Sequence, residues 1–152
     1  MDKKAVLQGV SPYLVYEDLA AALDWLTRVL GFEEVARYLN PDGVVEEAEI
    51  HASGQEIWMG SMGAGYWQEI AVRPYQLIMV WVDDVDQHHA RAAAGADAGP
   101  LEDKPYAVRM YTVTDPEGYQ WGIAQRLDQQ VQLEPGWSEV RPDGSIRTGP
   151  VS

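Results

Sequence analysis

The chain has 152 residues, and its 24 acidic and 11 basic side chains give a net charge of −13 at pH 7. This charge opposes binding to nucleic acid and to anionic membranes and favours cationic ligands. An acidic surface that only keeps the protein in solution would give the same charge. The absence of cysteine excludes disulfides, a thiol nucleophile and a thiolate metal site. This length predicts one domain, or two small modules that share a core, and a hydrophobic content of 46% is ample for a packed interior.

The N-terminal residues do not form a targeting or membrane segment by the usual criteria. Gly9, Pro12 and the acidic pair at 17–18 interrupt the apolar run well before it reaches the length of a signal core or a membrane span. We therefore expect a cytoplasmic protein.

The first half of the chain predicts a βαβββ pattern. Residues 7–16 read as a strand, and Asp18 is the expected N-cap of a helix whose leucines recur at helical spacing until Gly31. Three further strands are predicted at 32–38, 44–51 and 55–60, joined by turns rich in Asn, Pro, Asp, Ser and Gly. The Gly-rich residues 60–65 are the expected linker between the halves.

The second half repeats this pattern. A strand at 75–82 precedes a helix that Asp84 caps and that runs to Gly95, and strands near 105–114 and 119–126 follow. The segment Asp-Pro-Glu-Gly at 115–118 joins these last two strands. We expect a single domain over 1–126, built from modules at about 7–60 and 75–126. Residues 127–152 are expected to be a C-terminal tail, either with a small hairpin or flexible.

The two modules are related in sequence. LVYEDL at 14–19 recurs in pattern as VWVDDV at 80–85, and DPEGY at 115–119 opens the last strand. Over about residues 7–126 the chain resembles the vicinal oxygen chelate superfamily, which includes glyoxalase I, extradiol dioxygenases and bleomycin-resistance proteins. The resemblance implies an α+β fold in which two βαβββ modules form a curled mixed sheet around a cleft.

For the metal-dependent members, the resemblance implies ligands on the first and last strands of each module. These positions hold Ser11, Trp58 or Met59, Leu77 and Gly122. None of them carries the nitrogen or oxygen donor that a divalent ion usually requires. We therefore expect no metal and no other cofactor.

Other donors lie near the ligand positions. A shifted register would recruit Glu56, Gln76 or Gln120 to a distorted metal site. His51 ends a strand outside the rows that the family uses, and His88 and His89 are adjacent on a helix. The three histidines are expected at the surface or rim, without a role as ligands.

Strand alternation predicts an aromatic cleft with few charges. The side chains expected to face it are Tyr13, Glu47, Glu49, Trp58, Met79, Trp81, Arg109, Tyr111 and Gln120. Large planar side chains with a few polar groups suit a flat or amphipathic organic molecule that binds by stacking and apolar burial. The same residues are also typical of a core or a subunit interface.

Arg109 is the most distinctive charge, because it lies between two apolar residues on a strand and needs water, an acid or an anionic ligand. Aligning the turn glycines of the two modules places Glu47 at the position of Tyr111, so Glu47 and Glu49 are the expected internal partners of Arg109. These three residues are also the candidate catalytic group, as acid, base and anion holder.

The chain contains no phosphate loop, no dinucleotide fingerprint and no Gly-x-Ser-x-Gly elbow. The resemblance to bleomycin-resistance proteins implies a metal-independent protein that binds and sequesters an aromatic or amphipathic compound, for which the acidic charge favours a cation. The alternatives are a lyase, isomerase or dioxygenase with a nonstandard metal site or acid–base group, and a module that binds another protein. We expect a homodimer. The predicted ligand-binding residues are Tyr13, Trp58, Met79, Trp81, Arg109, Tyr111 and Gln120.

Overall fold

The structure, a computed structural model, describes residues 6, 8–70, 76–141 and 143–151. It divides into two compact units, the first comprising Met1–Gln76 with Asp115–Tyr119, and the second Leu77–Thr114 with Gln120–Ser152. Residues 7 and 75, where the first strand of each module is predicted to begin, lie outside the described residues.

The first unit is a βαβββ module followed by a short helix. Its elements are β1 (Tyr13–Tyr16), α1 (Leu19–Val29), β2 (Glu33–Leu39), β3 (Val45–Ala52), β4 (Gln55–Ser61) and α2 (Tyr66–Glu69). The four strands form one sheet in the order β1-β4-β3-β2, in which β1 runs parallel to β4 and the other pairs are antiparallel.

Helix α1 begins and ends where the sequence predicts. The side chain of Asp18 accepts a hydrogen bond from the amide of Ala21 at 3.1 Å, and Gly31 takes a positive φ of 73° just beyond the helix. The helix packs on one face of the sheet, where alternate strand residues such as Ile50 and Met59 are fully buried. The opposite face of this sheet carries the more exposed side chains.

The second unit repeats the module. Its elements are β5 (Leu77–Trp81), α3 (Val85–Gly95), β6 (Glu102–Lys104), β7 (Val108–Thr114), β8 (Gln120–Arg126), β9 (Ser138–Val140) and β10 (Ile146–Thr148). The sheet order is β5-β8-β7-β6, and β9 pairs with β10 as a separate antiparallel hairpin. The predicted α+β class with two βαβββ modules is confirmed.

None of the helices in the described residues combines the length and apolar character needed to span a membrane.

The predicted strand near 105–114 begins later, at Val108, because its first residues form a turn that follows a short separate strand, β6. Pro105 has no amide hydrogen, and Ala107 takes a left-handed φ of 63° while its N–H donates to the carbonyl of Lys104 at 3.1 Å. The residues before the turn form β6 at the edge of the sheet, so the strand missed by the sequence pattern is the short edge strand.

The Asp-Pro-Glu-Gly-Tyr segment is more than a turn between β7 and β8, since it packs within the first unit. The buried hydroxyl of Tyr16 donates to the carboxyl of Asp115 at 2.6 Å, and the hydroxyl of Tyr119 donates to the carbonyl of Val15 at 2.9 Å. The rings of Tyr16 and Tyr119 lie 4.9 Å apart. This contact fixes the segment against β1.

Glu117 in the same segment binds the chain at the start of α1. Its carboxylate accepts hydrogen bonds from the amide of Asp18 at 2.8 Å and from the indole N–H of Trp67 at 2.9 Å. The amide of Trp67 in turn donates to the carboxylate of Glu17 at 2.9 Å. The two carboxylates thereby attach α2 to the residues that precede α1.

Candidate functional site

The open face of the first sheet, the side not covered by α1, carries aromatic and acidic side chains next to each other. Tyr13 on β1 lies directly opposite Trp58 on β4, and Trp58 lies opposite Glu49 on β3. Glu47 lies two residues before Glu49, opposite Gly60. Because paired residues point to the same face, these side chains form one surface.

The side chain of Tyr13 lies over Gly60, and it can do so because glycine has no side chain. A Cβ built on Gly60 would collide with the Tyr13 hydroxyl. That hydroxyl donates to both oxygens of Glu47 at 3.0 Å, and partial burial, with the hydrogen bond and charge of Glu47, raises the pKa of Tyr13. Tyr13 is 54% exposed, so one side of its ring remains open to a ligand.

A second group of polar side chains lies at the end of the same face. Glu56 accepts hydrogen bonds from the hydroxyl of Ser11 at 2.8 Å and from the indole of Trp58, and His51 Nε2 lies 3.1 Å from Glu49 Oε1. The hydrogen bond from Ser11 is the largest of the causes that lower the pKa of Glu56. We refer to Glu49, His51 and Glu56 as the EHE cluster.

The open face of the second sheet is mainly apolar. Met79 lies opposite Gly122, and Leu77 lies opposite Gln120. The face of the Trp81 ring is covered by the Arg126 guanidinium, which lies 3.8 Å from the ring centroid. A cavity of about 270 Å³ adjoins this face and is lined by Leu77, Pro100, Glu102, Lys104, Tyr106, Met110, Tyr111 and Thr112. It is slightly smaller than most sites for drug-sized molecules.

Arg109 binds acids of its own unit and lies on the side of the sheet that packs against α3. Its Nε lies 2.7 Å from Asp103, and its Nη1 lies 3.1 Å from Asp86 on α3. These ion pairs raise the pKa of Arg109 and lower that of Asp103. Arg109 is therefore paired internally, as expected for a charge on a strand, but with partners other than Glu47 and Glu49.

Tyr111 also faces α3 and is 1% exposed. Its hydroxyl lies 2.6 Å from Nδ1 of His88, and the ring of His89 packs edge-on against its ring at 4.9 Å. Burial raises the pKa of Tyr111 to about 12. His88 and His89 are therefore half-buried helix residues that pack on Tyr111, instead of the surface or rim residues that the sequence predicted.

The predicted orientation of Arg109 and Tyr111 toward the cleft is wrong because the module alignment was one residue out of register. Glu49 lies opposite Trp58, whereas Thr112 lies opposite Gly122, so Thr112 is the equivalent of Glu49. The turn glycines do not align because two residues join β3 to β4 but five join β7 to β8. A shift of one residue along a strand reverses the face. Arg109 belongs to the second unit, where its partners are Asp86 and Asp103. Glu47 and Glu49 belong to the first unit.

The chain therefore consists of two βαβββ units, each with one face of its sheet covered by a helix. The chain belongs to the Glyoxalase/Bleomycin resistance protein/Dioxygenase superfamily, which matches residues 10–123. This confirms the family suggested by the repeat.

Three relatives illustrate the similarity. The uncharacterized protein Rv0887c of Mycobacterium tuberculosis is 30% identical over 125 residues, which are 77% of this chain and 74% of that protein. The crystal structure of TioX from Micromonospora sp. ML1 is 35% identical, covers 81% of this chain and 99% of its own, and has a TM-score of 0.62. TnmS3, an antibiotic binding protein from Streptomyces sp. CB03234, shares the fold at 20% identity, covers 82% and 99%, and has a TM-score of 0.61.

The residues at the family's metal positions do not fit a metal. Ser11 uses its hydroxyl to bind Glu56, and Trp58 places an indole on the open face. At Gly122, the space that a side chain would enter is filled by Met79 Sδ, Met110 Cε and Leu77 Cδ1, at 2.8, 3.1 and 3.2 Å from an added Cβ. Apolar atoms thus lie where the second unit would need a donor.

Proposed function

We propose that this protein binds and sequesters a planar aromatic cation, without covalent chemistry, on the open face of the first sheet. The observation that carries the proposal is the pairing of Tyr13 with Trp58 on adjacent strands, beside the carboxylates of Glu47 and Glu49. The description of TnmS3 as an antibiotic binding protein supports small-molecule binding as a use of this fold.

The two kinds of side chain contribute in different ways. Stacking on Trp58 and Tyr13 supplies apolar burial and ring contacts, each pair being worth about 0.5–1.5 kcal/mol beyond the buried area. Glu47 and Glu49 lie beside these rings and attract a positive charge. On the second sheet, Arg126 already covers Trp81, so that ring is less available to a cation.

The proposed binding uses no metal at the family's ligand positions, because Ser11, Trp58, Leu77 and Gly122 lack the required donors. The alternative of an acid–base enzyme built on Glu47, Glu49 and Arg109 receives less support. Arg109 is engaged by Asp86 and Asp103 and is not free to hold an anionic substrate.

The proposal is tested by fluorescence titration with N-methylacridinium and with acridine, which is the same ring system without a charge at pH 7.5. We expect saturable binding of the cation and at least about 10-fold weaker binding of acridine. Trp58→Phe and Glu47→Gln should each weaken binding of the cation by about 5-fold or more, since an anchoring contact is usually worth more than about 1 kcal/mol.

Trp137→Phe is the matched control, because Trp137 is 64% exposed and lies near the C-terminal hairpin. It should leave the affinity unchanged. Equal affinity for both acridines, or loss of affinity in the control to the same degree as in Trp58→Phe, would contradict the proposal.

We also propose a homodimer. Each sheet leaves apolar side chains exposed, including Leu39 at 58% and Leu77 at 47%, and a second copy would bury such surface. Light scattering at micromolar concentration should give twice the chain mass of 16.9 kDa. A monomer mass under these conditions would refute the dimer.

A further inference from the structure

We propose that the EHE cluster, formed by Glu49, His51 and Glu56, binds one divalent first-row transition-metal ion such as Zn²⁺. This site differs from the family's ligand positions. It shares Glu49 with the proposed site for an organic cation, but its test needs only the metal ion. The inference replaces the expectation that the protein binds no metal and that His51 has no role as a ligand.

The distances within the cluster suit a metal. In the described residues, the three side chains bring one ligand atom each within 4.8 Å of one another. Two donors that bind the same zinc ion at about 2.1 Å lie roughly 3 to 3.4 Å apart. His51 Nε2 and Glu49 Oε1 are already 3.1 Å apart. Small side-chain rotations therefore bring Glu56 into place, without movement of the backbone.

The backbone holds the three donors in register. Glu49 and His51 alternate onto the same face of β3, and His51 lies directly opposite Glu56 on β4. All three side chains are partly buried, and that of Glu49 is only 14% exposed. Sites built on paired strands hold their ligands more rigidly than sites on loops.

The charges of the cluster also call for a cation. One carboxylate oxygen of Glu49 and one of Glu56 lie within 4.8 Å of each other. Among the ion pairs of residues 8–70, Glu49 pairs with His51, and neither carboxylate pairs with Lys or Arg. Two adjacent carboxylates repel each other unless a proton or a cation lies between them, and a divalent ion neutralises both.

Neighbouring residues orient the donors. The hydroxyl of Ser11 donates to Oε2 of Glu56 at 2.8 Å, and the indole of Trp58 donates to the same carboxylate, so both neighbours restrict the orientation of this side chain. Ser11 and Trp58 occupy the positions where family members place ligands. In this chain they support a ligand that lies two residues earlier on β4.

The donor set narrows the identity of the ion. One imidazole and two carboxylates suit Zn²⁺, Mn²⁺, Co²⁺ or Fe²⁺, whereas Ca²⁺ and Mg²⁺ prefer oxygen ligands only. Three protein ligands leave at least one coordination position for water or for a donor atom of a bound molecule.

The test uses the full chain after removal of metal by chelation and dialysis. Zn²⁺ binding is measured by calorimetry, and Co²⁺ binding by its visible absorption and by quenching of tryptophan emission. We expect a stoichiometry of one and a Co²⁺ spectrum typical of four or five ligands. His51→Ala, Glu49→Gln and Glu56→Gln should each weaken binding by more than about 100-fold, and Ser11→Ala by about 10- to 100-fold.

Glu46→Gln is the matched control, since Glu46 is on β3, faces the opposite side and binds Asn40 instead. It removes the same charge and should leave the affinity unchanged. Circular dichroism of each variant checks the fold. Weak binding of several ions per chain, or equal losses in Glu46→Gln and Glu56→Gln, would overturn the proposal.

Discussion

The hydrogen bond between Tyr16 and Asp115 gives a direct test of how the Asp-Pro-Glu-Gly-Tyr segment stabilises the first unit. Tyr16→Phe removes only the hydroxyl that donates to Asp115 at 2.6 Å and keeps the ring, which packs 4.9 Å from that of Tyr119. Both Tyr16 and Asp115 are buried, at 0% and 4% exposed, so water does not readily replace the lost partner.

The expected cost is about 2 kcal/mol, because a buried carboxyl that loses a hydrogen bond pays part of its desolvation penalty. For a chain of this length, that corresponds to a fall in Tm of about 4 to 8 °C. Urea unfolding followed by circular dichroism measures the free energy of unfolding directly. Tyr38→Phe is the control, since Tyr38 is 50% exposed, and should change stability by less than about 0.5 kcal/mol. A loss in Tyr16→Phe no larger than in this control would refute the reasoning.

Three further predictions concern Tyr111, Gly60 and Arg109. Burial raises the pKa of Tyr111 to about 12, so the un-ionised side chain stabilises the folded state fully below pH 10. This stabilisation is lost as pH rises toward 12, and the free energy of unfolding falls by up to about 1.4 kcal/mol per pH unit. Urea unfolding of Tyr111→Phe at pH 9 to 11 should show a shallower decline than the wild type. Gly60→Ala should displace Tyr13 and weaken N-methylacridinium binding by about 5-fold or more. The free energy of unfolding should change by less than about 1 kcal/mol. Unchanged affinity would contradict a role for Tyr13 in binding. Arg109→Gln should change stability little, because its ion pairs are exposed to water, and should leave affinity for the cation unchanged in the same titration.

Local sequence signals predicted the elements well. Asp18 and Asp84 both cap the helices that follow them, since an aspartate before an apolar periodic run satisfies free amides at a helix start. The repeated pattern then identified the family, because two copies of one module require two similar sheets. These features depend on residues close together in sequence.

The orientation of the site residues depends on the register between neighbouring strands, and a difference of one residue in the connecting turn reverses the face that a side chain occupies. The longer turn between β7 and β8 changed the alignment of the modules by one residue and reversed the predicted face of Arg109 and Tyr111. The sequence pattern did not predict the EHE cluster, because His51 and Glu56 come together only through the register of β3 and β4. The predicted neighbours Tyr13, Glu47, Glu49 and Trp58 do share one face.

The most direct test of the central claim is a ¹H–¹⁵N spectrum of the six tryptophan indole groups during titration with N-methylacridinium. The protein should show a saturable shift of the Trp58 signal, while Trp121, which is 0% exposed in the second unit, stays unchanged. The half-saturation point should match the affinity from fluorescence. Shifts confined to the Trp81 signal would place the ligand on the second sheet. Shifts that fail to saturate would show nonspecific attraction to the acidic surface. Either result would contradict a binding site on Tyr13 and Trp58.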